Sequence, residues 1–406
     1  MNPHQRLLAR LAIPNTSKVV LLVLDGVGDL STAAQPQTAL EAASTPNLDA
    51  LAAAGALGRA IPVATGITPG SGPGHLALFG YDPTLPEADI GRGVLEALGL
   101  GIRLDRAAIA VRGNFATADA DGNLVDRRAG RIASAECARV IDAVRGGIGS
   151  IRGLDVELVA GEGHRFVVVL RGEDLSDAVA DTDPQRLGVA PLPPRALGPA
   201  AESTARRVAE LLAAAHRVVA SEPKANRLLL RGFSRSPALE SLAELHQARF
   251  GAFAGYPLYR GVAAACGMEV VECPKDFAGI VDVVTSRWND FDVFFLHVKQ
   301  TDQAGEDGNL AAKVAVLEQV DQAIPKLLAL GPEVVCVTAD HSTPAPMAAH
   351  SWHPVPVLVH APLAFVDETR RFTEAEAVRG HLGTFPAREL MGLLLAHAGR
   401  LAKYGA

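Results

Sequence analysis

Four apolar runs in this chain end at, or start just after, side chains of the kind that bind metal ions. Val334–Val335–Cys336–Val337–Thr338 stops abruptly at Ala339–Asp340–His341. Val19–Val20–Leu21–Leu22–Val23–Leu24 stops at Asp25–Gly26, and Val293–Phe294–Phe295–Leu296 runs through His297 and Lys299 to Asp302. The run Val355–Val359 is preceded by His350 and His353. Runs of this composition read as strands buried on both faces of a parallel sheet. Such sheets place their chemistry in the crevice beyond the strand carboxyl ends. One Asp or His after a strand is often only the cap of the next helix. Four such sites in one chain point instead to a metal centre.

The chain is 406 residues long, beyond the roughly 250–300 at which one core stops growing, so two domains are expected. With 49% hydrophobic and 20% charged residues, it has the apolar mass for a large core. A net charge of −7 without a basic block argues against nucleic acid as a partner. Only seven of the 38 basic residues are lysine, which leaves arginine available for paired contacts with anions. Cys137, Cys266, Cys273 and Cys336 form no CxxC pair, and they read as buried apolar residues in a reducing compartment. Residues 1–16 lack the apolar stretch of a signal peptide, and no run approaches a membrane span. A soluble, cytoplasmic protein without membrane contacts is therefore expected.

In chain order the pattern predicts a short helix over 5–12, a strand over 18–24, and a helix from Pro46 to Ala54 capped by Thr45. The loop Thr68–Pro69–Gly70–Ser71–Gly72–Pro73–Gly74 then leads into a helical stretch from Leu76 to Phe79. It presents the Ser71 hydroxyl at a helix N-terminus, where the dipole and free N–H groups favour an anion. A serine so placed suits a nucleophile that becomes phosphorylated, the ordinary alternative being a helix cap. His75 is placed either to orient that serine or to pack the helix. From about residue 101 short alternating segments appear with a high density of arginine, including Asp126–Arg127–Arg128–Ala129–Gly130–Arg131. A Pro-rich piece over 183–199 and a helix over 201–215 follow, and Arg231–Gly232 closes the section. The α/β rhythm then resumes with a helix over 256–265 and strands over 268–272, 291–299, 334–338 and 355–359. This organisation predicts an α/β core over 1–100 and 241–406, with a mainly parallel sheet sandwiched by helices, and a smaller inserted α/β domain over 101–240.

Asp25, Ser71, Asp302, Glu306, Asp340, His341 and His350 thus form a scattered set of oxygen and nitrogen donors. That mixture suits Mn²⁺, Zn²⁺, Co²⁺ or Mg²⁺. Two such ions could activate the serine and hold both ends of a phosphoryl displacement.

With these residues in view, the chain resembles the cofactor-independent (2,3-bisphosphoglycerate-independent) phosphoglycerate mutases, archaeal-type, of the alkaline phosphatase superfamily. The resemblance rests on LDGVGD, TPNLDALAAAG, PGS followed by GHLALFGYDP, GRGVLEALG, RGNFAT, DRRAGRI, HVKQTDQAG, TADHSTP and HSWHPVPVL, which span nearly the whole chain. It implies an alkaline phosphatase-like core with an insert that binds substrate. It also implies interconversion of 3-phosphoglycerate and 2-phosphoglycerate through a phosphoserine, without 2,3-bisphosphoglycerate. Carried over by position, Asp25, Ser71, Asp340 and His341 resemble the ligands of one metal and Asp302 and His350 those of another. Ser71 is then the nucleophile, and Lys299 offsets charge on the phosphoryl group. Asn114, Arg127, Arg128, Arg131 and Arg231 lie in segments similar to the family's substrate-binding insert.

Three positions depart from that pattern. Glu306 stands where the family has a histidine ligand, a change that favours harder ions such as Mn²⁺ or Mg²⁺ over Zn²⁺ or Co²⁺. His353 stands in place of an Asp or Asn and offers either a substitute imidazole or, the favoured reading, a side chain that does not ligate. Gly72–Pro73–Gly74 replaces an acidic/Thr pattern. Two further readings stay open: a metal-dependent phosphomonoesterase or other phosphotransferase on the same core, and a non-catalytic relative. The sequence leaves oligomeric state undetermined.

Overall fold

The computed structural model describes residues 2–405. Two compact units make up the chain: residues 1–89 with 239–406, and residues 90–238. In chain order the strands are β1 (Val19–Leu24), β2 (Ala56–Ile61), β3 (Ile109–Ala118), β4 (Leu124–Asp126), β5 (Asp155–Ala160), β6 (Arg165–Arg171), β7 (Arg227–Arg235), β8 (Phe250–Ala254), β9 (Glu269–Val271), β10 (Val293–Val298), β11 (Val334–Thr338), β12 (Val355–His360) and β13 (Gly383–Pro386).

The first unit is an eight-stranded sheet in the order β13-β2-β12-β11-β1-β10-β8-β9. Its centre is parallel: β1 lies between β10 and β11, and β8 and β9 follow beyond β10. Every residue of β1, β10 and β11 is buried, as a sheet covered by helices on both faces demands. β12 runs antiparallel to β11, so its entrance lies at the edge where β1, β10 and β11 finish. The segment before β12, which carries His350, therefore arrives beside the residues that follow the three parallel strands.

β2, β8 and β13 extend the sheet beyond the strands read from the sequence. Their segments, ALGRAI, FGAFA and GTFP, contain few β-branched residues, and pairing with neighbours rather than intrinsic preference holds them extended. The helix Pro46–Ala53 starts where expected, but Thr45 makes no side-chain cap. Asp321, on the helix Leu310–Leu328, does so instead, accepting the Leu48 N–H at 2.8 Å and the Asn47 N–H at 3.3 Å.

The second unit is an antiparallel sheet with β3 between β6 and β7, β5 on the outer edge of β6 and β4 at the far end of β3. Two helices, Ser134–Gly147 and Glu202–Val219, join one core with residues such as Val111, Phe115, Phe166, Val168 and Leu230. The helix Arg92–Gly99, assigned to the core on sequence, belongs to this unit. Gly93 explains the attachment, because a Cβ there would stand 2.1 Å from the Ala110 carbonyl oxygen of β3. The change in composition near residue 101 marks the end of that helix, and the change of unit comes at Ile90.

Candidate active site

At the carboxyl edge of the large sheet Asp25 follows β1, Lys299 and Asp302 follow β10, and Asp340 and His341 follow β11. Asp25, Asp302, Asp340 and His341 have no exposed surface. Ser71 is the first residue of the helix Ser71–Leu78, with Gly70 at the cap position. That helix approaches so closely that a Cβ on Gly74 would lie 2.3 Å from the Asp340 carbonyl oxygen. Only glycine permits this approach, which brings the Ser71 hydroxyl within 3.2 Å of His341 Nε2.

His341 Nε2 also lies 3.3 Å from Asp25 Oδ1 and 3.3 Å from Asp340 Oδ2. The opposite ring nitrogen, Nδ1, is 3.0 Å from Thr343 Oγ1. The Thr343 hydroxyl itself donates to Asp302 Oδ1 at 2.6 Å, so it accepts from His341 Nδ1–H. That contact fixes the proton on Nδ1 and turns Nε2 toward the two carboxylates. His350 is set in the same way: Nδ1–H donates to the Pro69 carbonyl at 3.0 Å, and Nε2 faces Asp302 Oδ1 at 3.5 Å. The two imidazoles stack with centroids 3.7 Å apart.

Neighbouring groups hold each carboxylate in place. His297, whose pKa burial lowers, donates through Nε2 to Asp25 Oδ2 at 2.9 Å. Gly26 N–H reaches Asp340 Oδ1 at 3.3 Å. His75 Nδ1 bonds the Ser71 carbonyl at 2.8 Å and lies 3.0 Å from Asp340 Oδ2. It therefore fixes the backbone of the serine and not its hydroxyl. Lys299 Nζ donates to Asp302 Oδ2 and lies 3.6 Å from Asp25 Oδ2.

Burial pushes the Asp25 carboxyl up, but the contacts with His297 and His341 outweigh it and hold the group well below the usual carboxylate range. Burial pushes His341 down, yet Asp340 and Asp25 raise it to about 9. Burial also opposes the charge on Lys299, and Asp25 and Asp302 more than compensate, raising its pKa.

The donor atoms of Asp25, Asp340 and His341 lie within 4.8 Å of one another, as do those of Asp302, His341 and His350. Asp25 Oδ1 and Asp340 Oδ2 are buried without an aligned hydrogen bond among the described residues. Separations of 3.3 Å match neighbouring ligands around one ion bound at roughly 2.0–2.2 Å. Oxygen and imidazole donors suit a first-row or alkaline-earth divalent ion. These residues therefore fit a metal centre, with His341 Nε2 directed to the Asp25 and Asp340 side.

A second cluster occupies one face of the sheet in residues 90–238. The register pairs Arg112 of β3 with Arg231 of β7, and Asn114 of β3 with Arg165 of β6. Cross-strand partners share a face, so three guanidiniums and one amide stand together opposite the face covered by the two helices. The Nε atoms of Arg112 and Arg165 and the Oδ1 of Asn114 are buried without a hydrogen-bond partner among the described residues. His164 registers the field: burial first, then Arg165, Arg128 and Arg112, lower it to about 4.

Similarity to known proteins decides the family. The chain is 50% identical over 402 residues to a protein of Thermus thermophilus named a probable 2,3-bisphosphoglycerate-independent phosphoglycerate mutase, covering 98% of each. A protein of Thermotoga neapolitana with the same name is 47% identical over 407 residues, covering 100% of each. The chain belongs to the 2,3-bisphosphoglycerate-independent phosphoglycerate mutases. The model of that family matches residues 52–225. Among solved structures, the cofactor-independent phosphoglycerate mutase of Thermoplasma acidophilum superposes with a TM-score of 0.72 at 30% identity, covering 94% of this chain and 100% of that one. A protein of Pyrococcus horikoshii gives 0.81 at 28% identity, covering 97% and 100%.

Within this mutase family member, the sequence-derived residues Asp25, Ser71, Lys299, Asp302, Asp340, His341 and His350 come together. Glu306 does so only in part. Its carboxylate lies 3.6 Å from His350 Nε2, but its side chain is 53% exposed and it joins neither cluster of donors. His353 does not join either, since Nδ1 bonds Ser351 Oγ at 3.0 Å and the ring stacks on Trp352. Arg127 is committed to Asp183 through two bonds of 2.8 and 2.7 Å, while Arg128 and Arg131 are exposed. Three of the four cysteines are buried, and Cys273 is only partly so. Thr343, Arg112 and Arg165 were missed as site residues. Arg112 and Arg165 carried the signal of alternate positions on paired strands, whereas Thr343 carried none beyond its place in TADHSTP.

Proposed function

We propose that the chain interconverts 3-phosphoglycerate and 2-phosphoglycerate through a phosphoserine at Ser71. The observation that carries this reading is the Ser71 hydroxyl at a helix N-terminus, 3.2 Å from His341 Nε2 and beside buried carboxylates. Two divalent ions, Mn²⁺ or Mg²⁺ ahead of Zn²⁺ or Co²⁺, would be held by Asp25, Asp340 and His341 with Ser71, and by Asp302 and His350 with Glu306 at its margin. Bound there, they would supply positive charge that lowers the pKa of the serine and neutralises phosphoryl oxygens.

The chain's own groups do the rest. Ser71 Oγ attacks the phosphorus of 3-phosphoglycerate and displaces the substrate oxygen, while free N–H groups of its helix face the phosphoryl oxygens. Lys299, charged and pointing at the same carboxylates, offsets developing negative charge. Glycerate is retained and turned, its 2-hydroxyl oxygen takes the phosphoryl group from Ser71, and no 2,3-bisphosphoglycerate takes part. The arginine face of the insert, with Asn114, Arg112, Arg165 and Arg231, binds substrate carboxylate and phosphate. Glu96 lies 3.8 Å from Arg112, and Asp181 and Asp183 lie 3.5 Å from Arg231; a bound anion adds charge-assisted bonds to the donors that these carboxylates leave free. Arg127, Arg128 and Arg131 complete the proposed substrate-binding set. The reading places the enzyme in the cytoplasm, in keeping with its four free cysteines. Among the described residues no helix is long and apolar enough to cross a membrane.

The test is rapid quenching with labelled 3-phosphoglycerate followed by peptide mapping. Label on the peptide containing Ser71, and its loss together with turnover in Ser71→Ala, is expected. Turnover retained by Ser71→Ala would reject the assignment.

A further inference from the structure

Tyr259, in the first turn of the helix Pro257–Ala265, is 2% exposed. Its ring lies flat on His297, with centroids 3.7 Å apart and planes 25° apart. His75 is 5.1 Å away, and Lys299 Nζ stands 5.4 Å from the ring centre. These neighbours are the side chains that hold Asp25, Asp340 and Asp302, so the ring forms part of the floor of the cluster. Its neighbours His75 and His297 bond the Ser71 carbonyl and Asp25 Oδ2, which puts the tyrosine beside both residues. Yet its hydroxyl makes no aligned hydrogen bond with any described residue. A buried tyrosine hydroxyl normally finds a partner, and leaving it without one is destabilising. A hydroxyl so placed is available to a partner that the reaction brings.

We propose that Tyr259 is a catalytic residue whose hydroxyl donates a hydrogen bond to Ser71 Oγ as that oxygen gains and then releases the phosphoryl group. The proposal rests on Ser71 being the nucleophile. In the first half-reaction the phosphorus–oxygen bond to the substrate breaks with its electron pair left on the 3-oxygen of glycerate as the bond to Ser71 Oγ forms, and the Ser71 proton ends on that 3-oxygen. In the second, the bond to Ser71 Oγ breaks with its electron pair left on the serine oxygen, and the phosphorus bonds the 2-hydroxyl oxygen of glycerate. The proton of that hydroxyl ends on Ser71. Tyr259 keeps its own proton throughout, as a phenol with an ordinary pKa near 10 does at neutral pH. The serine oxygen carries most charge in the two transition states, so the donated bond lowers the barriers more than it tightens substrate binding.

The experiment compares Tyr259→Phe, which removes only the oxygen, with the unchanged enzyme loaded with Mn²⁺, at a temperature well below both melting points. The expected result is a 10- to 100-fold lower kcat with KM within twofold and equal Mn²⁺ content and affinity by titration. A kcat within twofold of the unchanged enzyme overturns the proposal. So does a fall in kcat that tracks lost Mn²⁺ and is restored by excess Mn²⁺, since Tyr259 would then act through Asp25. If the Phe variant does not fold, the four tyrosines are replaced globally by 3-fluorotyrosine, a stronger donor of similar size. A higher kcat at constant KM supports the proposal, and an unchanged kcat overturns it. Failure of the underlying reading shows separately, as an unchanged enzyme without turnover or a Ser71→Ala variant that retains it.

Discussion

Thr343 decides which nitrogen of His341 faces the carboxylates. Its single hydroxyl proton goes to Asp302 Oδ1 at 2.6 Å, which leaves its oxygen to accept from His341 Nδ1 at 3.0 Å. One residue thereby orients a donor in each of the two clusters, and it does so from a fully buried position.

Thr343→Val keeps the shape and removes both bonds. Freed of its fixed tautomer, His341 should bind a cation more weakly, by about 10- to 100-fold. A Mn²⁺ titration followed by calorimetry checks this, with the melting temperature of the ion-free protein as the control for folding.

Gly74→Ala places a methyl group against the Asp340 carbonyl oxygen, 2.3 Å away. Backbone atoms on both sides prevent relief by rotamer change, so the helix carrying Ser71 must move. Misplacement by about 1 Å costs on the order of 100-fold in turnover. The kcat of this variant, with bound metal counted, measures the effect.

The first unit carries an acid-sensitive group away from the site. His246 is 1% exposed, and burial lowers it to about 4 from the ordinary 6.5. The unfolded chain binds the proton first, so stability is lost as pH falls from 6.5 toward 4. The full loss is about 3 kcal/mol. His246→Leu should flatten the dependence of the urea midpoint on pH over that window, and an unchanged slope would exclude His246 as its source.

In the arginine face, Arg165→Gln should raise KM for 3-phosphoglycerate by about 10- to 100-fold, the weight of one charge-assisted hydrogen bond. Metal affinity should stay unchanged. The same substitution removes one of the charges that depress His164, so the His164 resonances should titrate at higher pH. The two readouts separate loss of the field from loss of the fold.

Much of the core was legible because β-branched runs and their terminal acids lie next to one another in sequence. β1, β10 and β11 and the residues Asp25, Asp302, Asp340 and His341 were read directly from that adjacency. β2 and β8 were not, since alanine, glycine and phenylalanine segments become strands only through their neighbours. The direction of β12 was equally hidden, although it is what brings His350 to the correct edge. Thr45 matched a local capping rule, and a distant carboxylate, Asp321, took its place. Thr343 meets Asp302 and Tyr259 stacks on His297 across dozens of residues, which no local pattern records. Glu306 followed the sequence pattern of a ligand but sits on a half-exposed helix end, and geometry leaves it at the margin.

The proposed reaction has metal-loaded Ser71 pass a phosphoryl group between the two oxygens of one glycerate. Enolase-coupled conversion of 3-phosphoglycerate, on chelated and Mn²⁺-restored protein with free phosphate followed in parallel, tests it most directly. Conversion without added 2,3-bisphosphoglycerate is expected, lost on chelation, restored by Mn²⁺, and accompanied by little free phosphate. Phosphate release without conversion, or silence in both channels with metal bound, would contradict it.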